Sequence, residues 1–98
     1  MLLAFDTNIS DLSEIEFEKN TSETAIPCKE KILDYMKKSD PCAFTTQPVY
    51  DRITGERVIK ADNEHSDGEY SWYESDIYHF EKYNLKLNDD FIQHVLSK

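Results

Sequence analysis

The segment Val49-Tyr50-Asp51-Arg52-Ile53-Thr54-Gly55-Glu56-Arg57-Val58-Ile59 limits what this chain can fold into more than any other stretch. Asp51 can accept the amides of a turn, and Gly55 can take the left-handed conformation that closes a bulged hairpin between two flanking strands. A tight hairpin pairs its strands antiparallel, whereas parallel neighbours need a long crossover. Strands and helices therefore segregate here into an α+β arrangement rather than a parallel α/β one.

The other segments fit that plan. Leu2 to Phe5 can form a short strand, and Ser13-Glu14-Ile15-Glu16-Phe17-Glu18 alternates so that a strand there would turn Ile15 and Phe17 inward and three glutamates outward. Pro27 suits a first helical turn; Cys28, Ile32, Leu33 and Met36 then recur at helical spacing up to Lys37-Lys38, and Asp40-Pro41 stops the helix. Ala61 to Gly68 has no apolar periodicity and reads as a loop with an Asp67-Gly68 turn, before the aromatic strand Glu69-Tyr70-Ser71-Trp72-Tyr73. Ser75 is placed to cap a short helix carrying Ile77 and Phe80, which Asn84 ends in the left-handed conformation. Asn88 caps a last helix, with Asp89 and Asp90 at its positive end and Phe91, Ile92, Val95 and Leu96 in one apolar stripe. The expected architecture is a single acidic α+β domain over residues 1–98. Its small, mainly antiparallel sheet packs against about three helices, two of them C-terminal.

Twenty Asp and Glu against eleven Lys and Arg leave a net charge of −9, shared between the halves as −4 and −5. A surface of this sign repels nucleic acid and anionic membrane and steers the chain toward basic partners. The eleven Phe and Tyr and the single Trp argue for a packed fold rather than an acidic disordered tail. Met1-Leu2-Leu3-Ala4-Phe5 meets Asp6 without a basic stretch or a long apolar run, so the expected compartment is the cytoplasm.

Little catalytic chemistry is legible. Gly55 and Gly68 are the only glycines, which excludes a phosphate-cradling loop and a GxSxG nucleophile elbow. Cys28 and Cys42 lack the spacing of a zinc site and read as two buried free thiols. His65, His79 and His94 are dispersed, without the i,i+4 pairing of a metal-binding helix face, and read as surface residues. No catalytic residue, metal or cofactor is assigned.

One short stretch points the other way: Leu2-Leu3-Ala4-Phe5-Asp6-Thr7-Asn8-Ile9 resembles the first strand and Asp-Thr-Asn of PIN-domain ribonucleases. That resemblance implies Asp6 as a metal-binding carboxylate. Metal-assisted phosphodiester hydrolysis needs three or four converging carboxylates, and the hairpin contradicts the parallel order of that family.

The segment from Asp62 to Asp76 carries Asp62, Glu64, Asp67, Glu69, Glu74 and Asp76 with no Lys or Arg, interleaved with Tyr70, Trp72 and Tyr73. Aromatic anchors ringed by carboxylates suit a protein interface facing a basic partner. Alternate strand residues must also face inward, so the same aromatics can be core, with Tyr70 and Trp72 sharing one face and Ser71 and Tyr73 the other. These nine charged and aromatic residues are the candidate partner-binding set.

The block Asp67-Gly68-Glu69-Tyr70-Ser71-Trp72, then Ser75-Asp76-Ile77-Tyr78-His79-Phe80-Glu81-Lys82-Tyr83-Asn84-Leu85 and Asp90-Phe91-Ile92-Gln93-His94-Val95, resembles the C-terminal half of small acidic bacterial immunity proteins. Those proteins belong to polymorphic toxin systems, notably contact-dependent growth inhibition. The resemblance implies a cytoplasmic antidote that neutralises one cognate basic toxin domain, of nuclease class, and it carries no residue-by-residue assignment. An adaptor or regulatory binding module is the alternative class, and a small metal-dependent nuclease using Asp6 the third.

Overall fold

A computed structural model describes residues 2–5 and 13–98. Ten elements follow one another: β1 Leu2–Leu3, α1 Glu14–Lys19, α2 Lys29–Lys38, β2 Pro41–Ala43, β3 Val49–Tyr50, β4 Arg57–Ile59, β5 Glu64–Ser66, β6 Tyr70–Tyr73, α3 Glu74–Tyr83 and α4 Asp89–Leu96. Four strands form one sheet in the order β1-β6-β5-β2, and β3 and β4 form a separate ribbon. β5 and β6 pair antiparallel with His65 opposite Trp72, β2 pairs antiparallel with β5, and β1 alone runs parallel, with Leu2 opposite Tyr70. The fold is α+β, as the hairpin and the flanking helices implied.

The core lies between the sheet and helices α2, α3 and α4. Ile32 and Met36 from α2, Tyr70 and Trp72 from β6, Phe80 from α3, and Phe91 and Val95 from α4 close on one another with Leu85, Leu87, Phe17 and Ala4. Trp72 is 1% exposed; its ring packs on Phe91 at 5.2 Å and its indole N–H donates to the Met36 carbonyl at 3.3 Å. A buried indole without that acceptor would lose its hydration uncompensated.

Segment 13–18 differs from expectation. It is helix α1, not a strand: the Ser13 hydroxyl accepts the Glu16 amide, and Glu14 and Glu16 stand in the first turn with Lys19 in the last. These are favourable helix-end charges. Phe17 is buried and Ile15 is 67% exposed, so the two do not share a face as the alternating pattern required. Residues 64–66, read as loop, form β5 because β6 and β2 supply its partners on either side. Tyr73, not Ser75, holds the N-cap of α3, and Ser75 instead donates its amide and its hydroxyl to Asp62 at 2.9 and 3.0 Å. Asn84 ends α3 at φ 56°, as expected.

The hairpin forms as read. Asp51 accepts the amides of Ile53 and Thr54 at 2.8 and 2.9 Å, and Gly55 sits at φ 76°. Its carboxylate reaches beyond the turn, accepting the hydroxyls of Tyr78 and Tyr83 and the Lys82 ammonium from α3. That carboxylate clamps the ribbon onto the helix.

The histidines are interior, not superficial. His79 is fully buried; its Nδ1 donates to the Ser75 carbonyl and its Nε2 accepts the Arg52 amide, which settles its neutral tautomer and ties α3 to the hairpin a second time. His65 is 7% exposed, and the side chain of His94 is nearly as closed. Cys42 is exposed and Cys28 half-buried, so neither thiol is the core residue anticipated. No helix among the described residues is long and apolar enough to cross a membrane.

Candidate binding surface

The acidic run from Asp62 to Asp76 does not form one surface. Trp72 and Asp76 are buried, Tyr70 nearly so, Asp62, Glu64, Asp67, Tyr73 and Glu74 are half-buried, and Glu69 alone of the nine is exposed. The inward members hold the fold together. Asp62 braces Ser75 at the start of α3, and burial, opposed by those Ser75 hydrogen bonds, pushes its carboxyl up. Asp76 accepts the Tyr73 amide at 3.0 Å; burial raises its carboxyl to about 7 despite that bond, and the neighbouring Asp62 charge adds to the rise.

Asp67 organises the turn between β5 and β6. One of its oxygens accepts the amides of Glu69 and Tyr70 at 2.9 and 2.8 Å, and the other takes the Tyr35 hydroxyl and His94 Nε2, the latter at 2.6 Å. Burial works to raise this carboxyl, yet Tyr35, the two amides and His94 together hold it well below the usual carboxylate range. Burial and the bond to Asp67 push the Tyr35 hydroxyl up to about 12. His94 Nδ1 meanwhile lies 3.5 Å from a Glu69 oxygen, so the ring bridges the buried carboxylate and the exposed one.

Beside this network, where β1 meets the start of α4, the sheet edge opens into a hollow of about 430 Å³ lined by Leu2, Leu3, Tyr70, Asn88, Asp89 and Asp90. Leu2 and Leu3 are 59% and 39% exposed. Asp89 and Asp90 are exposed at the positive end of α4, and Glu69 is joined to β1 through its carbonyl, which accepts the Leu2 amide at 3.1 Å. Burial first, then the carboxylates of Asp90, Glu69 and Asp67, push the Tyr70 hydroxyl up. Among the described residues no Lys or Arg lines the hollow.

Of the sequence-derived set, the fold therefore brings Tyr70 to this hollow, leaves Glu69 exposed beside it on the strand end that pairs with Leu2, and turns Asp62, Trp72 and Asp76 to structural duty. It adds Leu2, Leu3, Asp89 and Asp90, which sequence reasoning assigned only to a strand and a helix end; a parallel pairing across most of the chain's length leaves no local signal. Among the described residues, no group of three or more His, Cys, Asp or Glu side chains is placed to hold a metal ion. Asp6, the carboxylate of the PIN resemblance, lies outside the described residues. The chain matches no protein-family model, no curated protein and no solved structure.

Proposed function

We propose that this protein is a cytoplasmic immunity protein that captures and neutralises a basic toxin domain of nuclease class, and that it performs no chemistry of its own. The observation that carries the reading is the hollow at the β1 edge. There, exposed leucines and Tyr70 supply apolar lining, Asp89 and Asp90 supply negative charge without a basic neighbour in the lining, and the exposed Glu69 adds to it from the strand end beside Leu2. An apolar floor contributes affinity through desolvation, while an acidic rim accelerates encounter with a basic protein and disfavours other partners. The net charge of −9 extends the same steering field over the whole molecule. A nuclease domain holds phosphates with Lys and Arg, so it presents the complementary sign.

The test is to identify any basic toxin domain encoded beside this gene and co-express the two, paired with an in vitro cleavage assay. Restored growth, together with loss of cleavage at equimolar protein, is expected. If growth is not restored and the purified proteins form no complex, the immunity reading fails; a neighbouring gene for a regulator would then favour the adaptor class.

A further inference from the structure

A second cavity lies between α2, α3 and the strands β4 and β5. It has a volume of about 260 Å³ and is lined by Lys37, Ile59, His65, Glu74, Ile77, Tyr78 and Glu81. That volume is below the roughly 300–1,000 Å³ of pockets for drug-sized ligands, so it suits one side chain.

Its chemistry centres on His65. The ring's Nδ1 lies 2.9 Å from the Ser39 carbonyl, which can only accept, so Nδ1 carries a proton and Nε2 is the ring's remaining polar site. Nε2 is buried with no hydrogen-bond partner, alone in this among the described side chains. The nearest charged atom is Glu74 Oε1 at 3.6 Å, beyond hydrogen-bond length, while the other Glu74 oxygen is held by the Asn63 amide at 3.3 Å. Nε2 and the Glu74 carboxylate thus lie side by side in the cleft lining with no hydrogen bond joining them. Lys37 is engaged with Glu81 at 2.5 Å, and no Lys or Arg pairs with Glu74 among the described residues, which leaves the charged lining one unit negative.

We propose that this cleft receives one arginine side chain of the basic partner, with its guanidinium on the cleft side of the Glu74 carboxylate and reaching toward His65 Nε2 beside it, and its methylenes against Ile59, Ile77 and the Tyr78 ring. The assignment of the arginine to a partner rests on the immunity reading. A guanidinium fits better than an ammonium because its planar fork donates to two separate acceptors at once.

The test is an NMR titration of the full chain, ¹⁵N-labelled, with N-acetyl-L-argininamide. N-acetyl-L-norleucinamide serves as the uncharged control and acetate as the anionic one. A saturable movement of the His65 Nε2 resonance and of the Glu74 and Ile77 amides is expected with the arginine probe alone, weakened tenfold or more in Glu74→Gln. His65→Phe keeps the ring and removes the acceptor, so it should abolish the amide response; its dispersed spectrum reports that it is folded. No saturable response, an equal response to norleucinamide, a preference for acetate, or a His65 ring protonated on both nitrogens and insensitive to the probe would each overturn the proposal. The two readings fail separately. A cleft that binds the probe in a chain that neutralises no toxin sinks the immunity reading alone. A chain that binds toxin equally fast and equally long with Glu74→Gln loses only the arginine assignment.

Discussion

At Asp51 and again at Asp67 the chain builds nearly the same device. In each, one carboxylate oxygen accepts two amides of the following turn, and the other takes a tyrosine hydroxyl from a packed helix: Tyr78 at Asp51, Tyr35 at Asp67. A glycine at positive φ, Gly55 or Gly68, completes the turn. The surfaces outside these two turns are opposite. The hairpin exposes Tyr50, Ile53 and Val58 beside the cations Arg57 and Lys60, whereas the β5–β6 turn leads to Glu69 and the acidic hollow. An aspartate that starts a turn is drawn inward by the amides it must satisfy, so it adds little to the field a partner meets. The acidity of the surface comes instead from residues beside such turns and at helix starts.

The largest effect expected from this comparison is on stability. Asp51→Ala leaves two turn amides, two tyrosine hydroxyls and the Lys82 ammonium without the buried carboxylate that joins them and should lower the unfolding free energy by about 3 kcal/mol or more. Asp67→Ala should cost about 2–3 kcal/mol on the same grounds. Urea midpoints read both, and losses under 1 kcal/mol would show that the turns hold without their carboxylates.

A second difference is between carboxylates held low and one held high. The folded pKa values of Asp51 and Asp67 are depressed, so their contribution is complete above the unfolded value near 4 and disappears as pH falls through the lower folded values. Asp76, raised to about 7, has the reverse sign: its contribution is complete below about pH 4 and is lost as pH rises toward 7. Asp76→Asn can keep an oxygen for the Tyr73 amide and removes the titration. Its stability relative to the parent should therefore climb between pH 4 and 7, by at most about 1.4 kcal/mol per pH unit, and level off above. A pH-independent difference would show that Asp76 does not titrate in that window.

The smallest effects belong to the surface. Converting Glu69, Asp89 and Asp90 to Gln and Asn should change stability by no more than about 1 kcal/mol, since none is buried. Ile15→Ser on α1 should likewise fall within about 0.5 kcal/mol, where a strand with Ile15 facing inward would predict a far larger loss.

Several elements were legible because their signals are local. The hairpin was readable from Asp51 and Gly55, the end of α3 from Asn84, and α4 from its apolar stripe over Phe91 and Val95. Where the reading failed, the deciding contact was distant or the pattern short. Six residues at 13–18 alternate like a strand, but a serine cap, favourable end charges and above all the packing of Phe17 into the core make them a helix. β5 has no apolar face of its own and exists through its neighbours. The histidines looked superficial because burial of a polar ring depends on acceptors far along the chain: the Ser39 carbonyl for His65, and Asp67 for His94. Of the nine acid and aromatic residues read from the sequence, only Tyr70 lines the hollow and Glu69 stands beside it, because the other linings come from β1 and the start of α4.

On the proposed function, Glu69, Asp89 and Asp90 steer a basic partner to the hollow. Stopped-flow association with the cognate toxin domain at two salt concentrations tests it directly, comparing the neutralised hollow trio with an equal charge change at Glu14, Glu16 and Glu18 on α1. Slower association and weaker salt dependence are expected for the hollow trio, with the α1 variant much closer to the parent. Equal slowing in both would show that net charge alone steers the encounter, and unchanged association in the hollow variant would place the interface elsewhere.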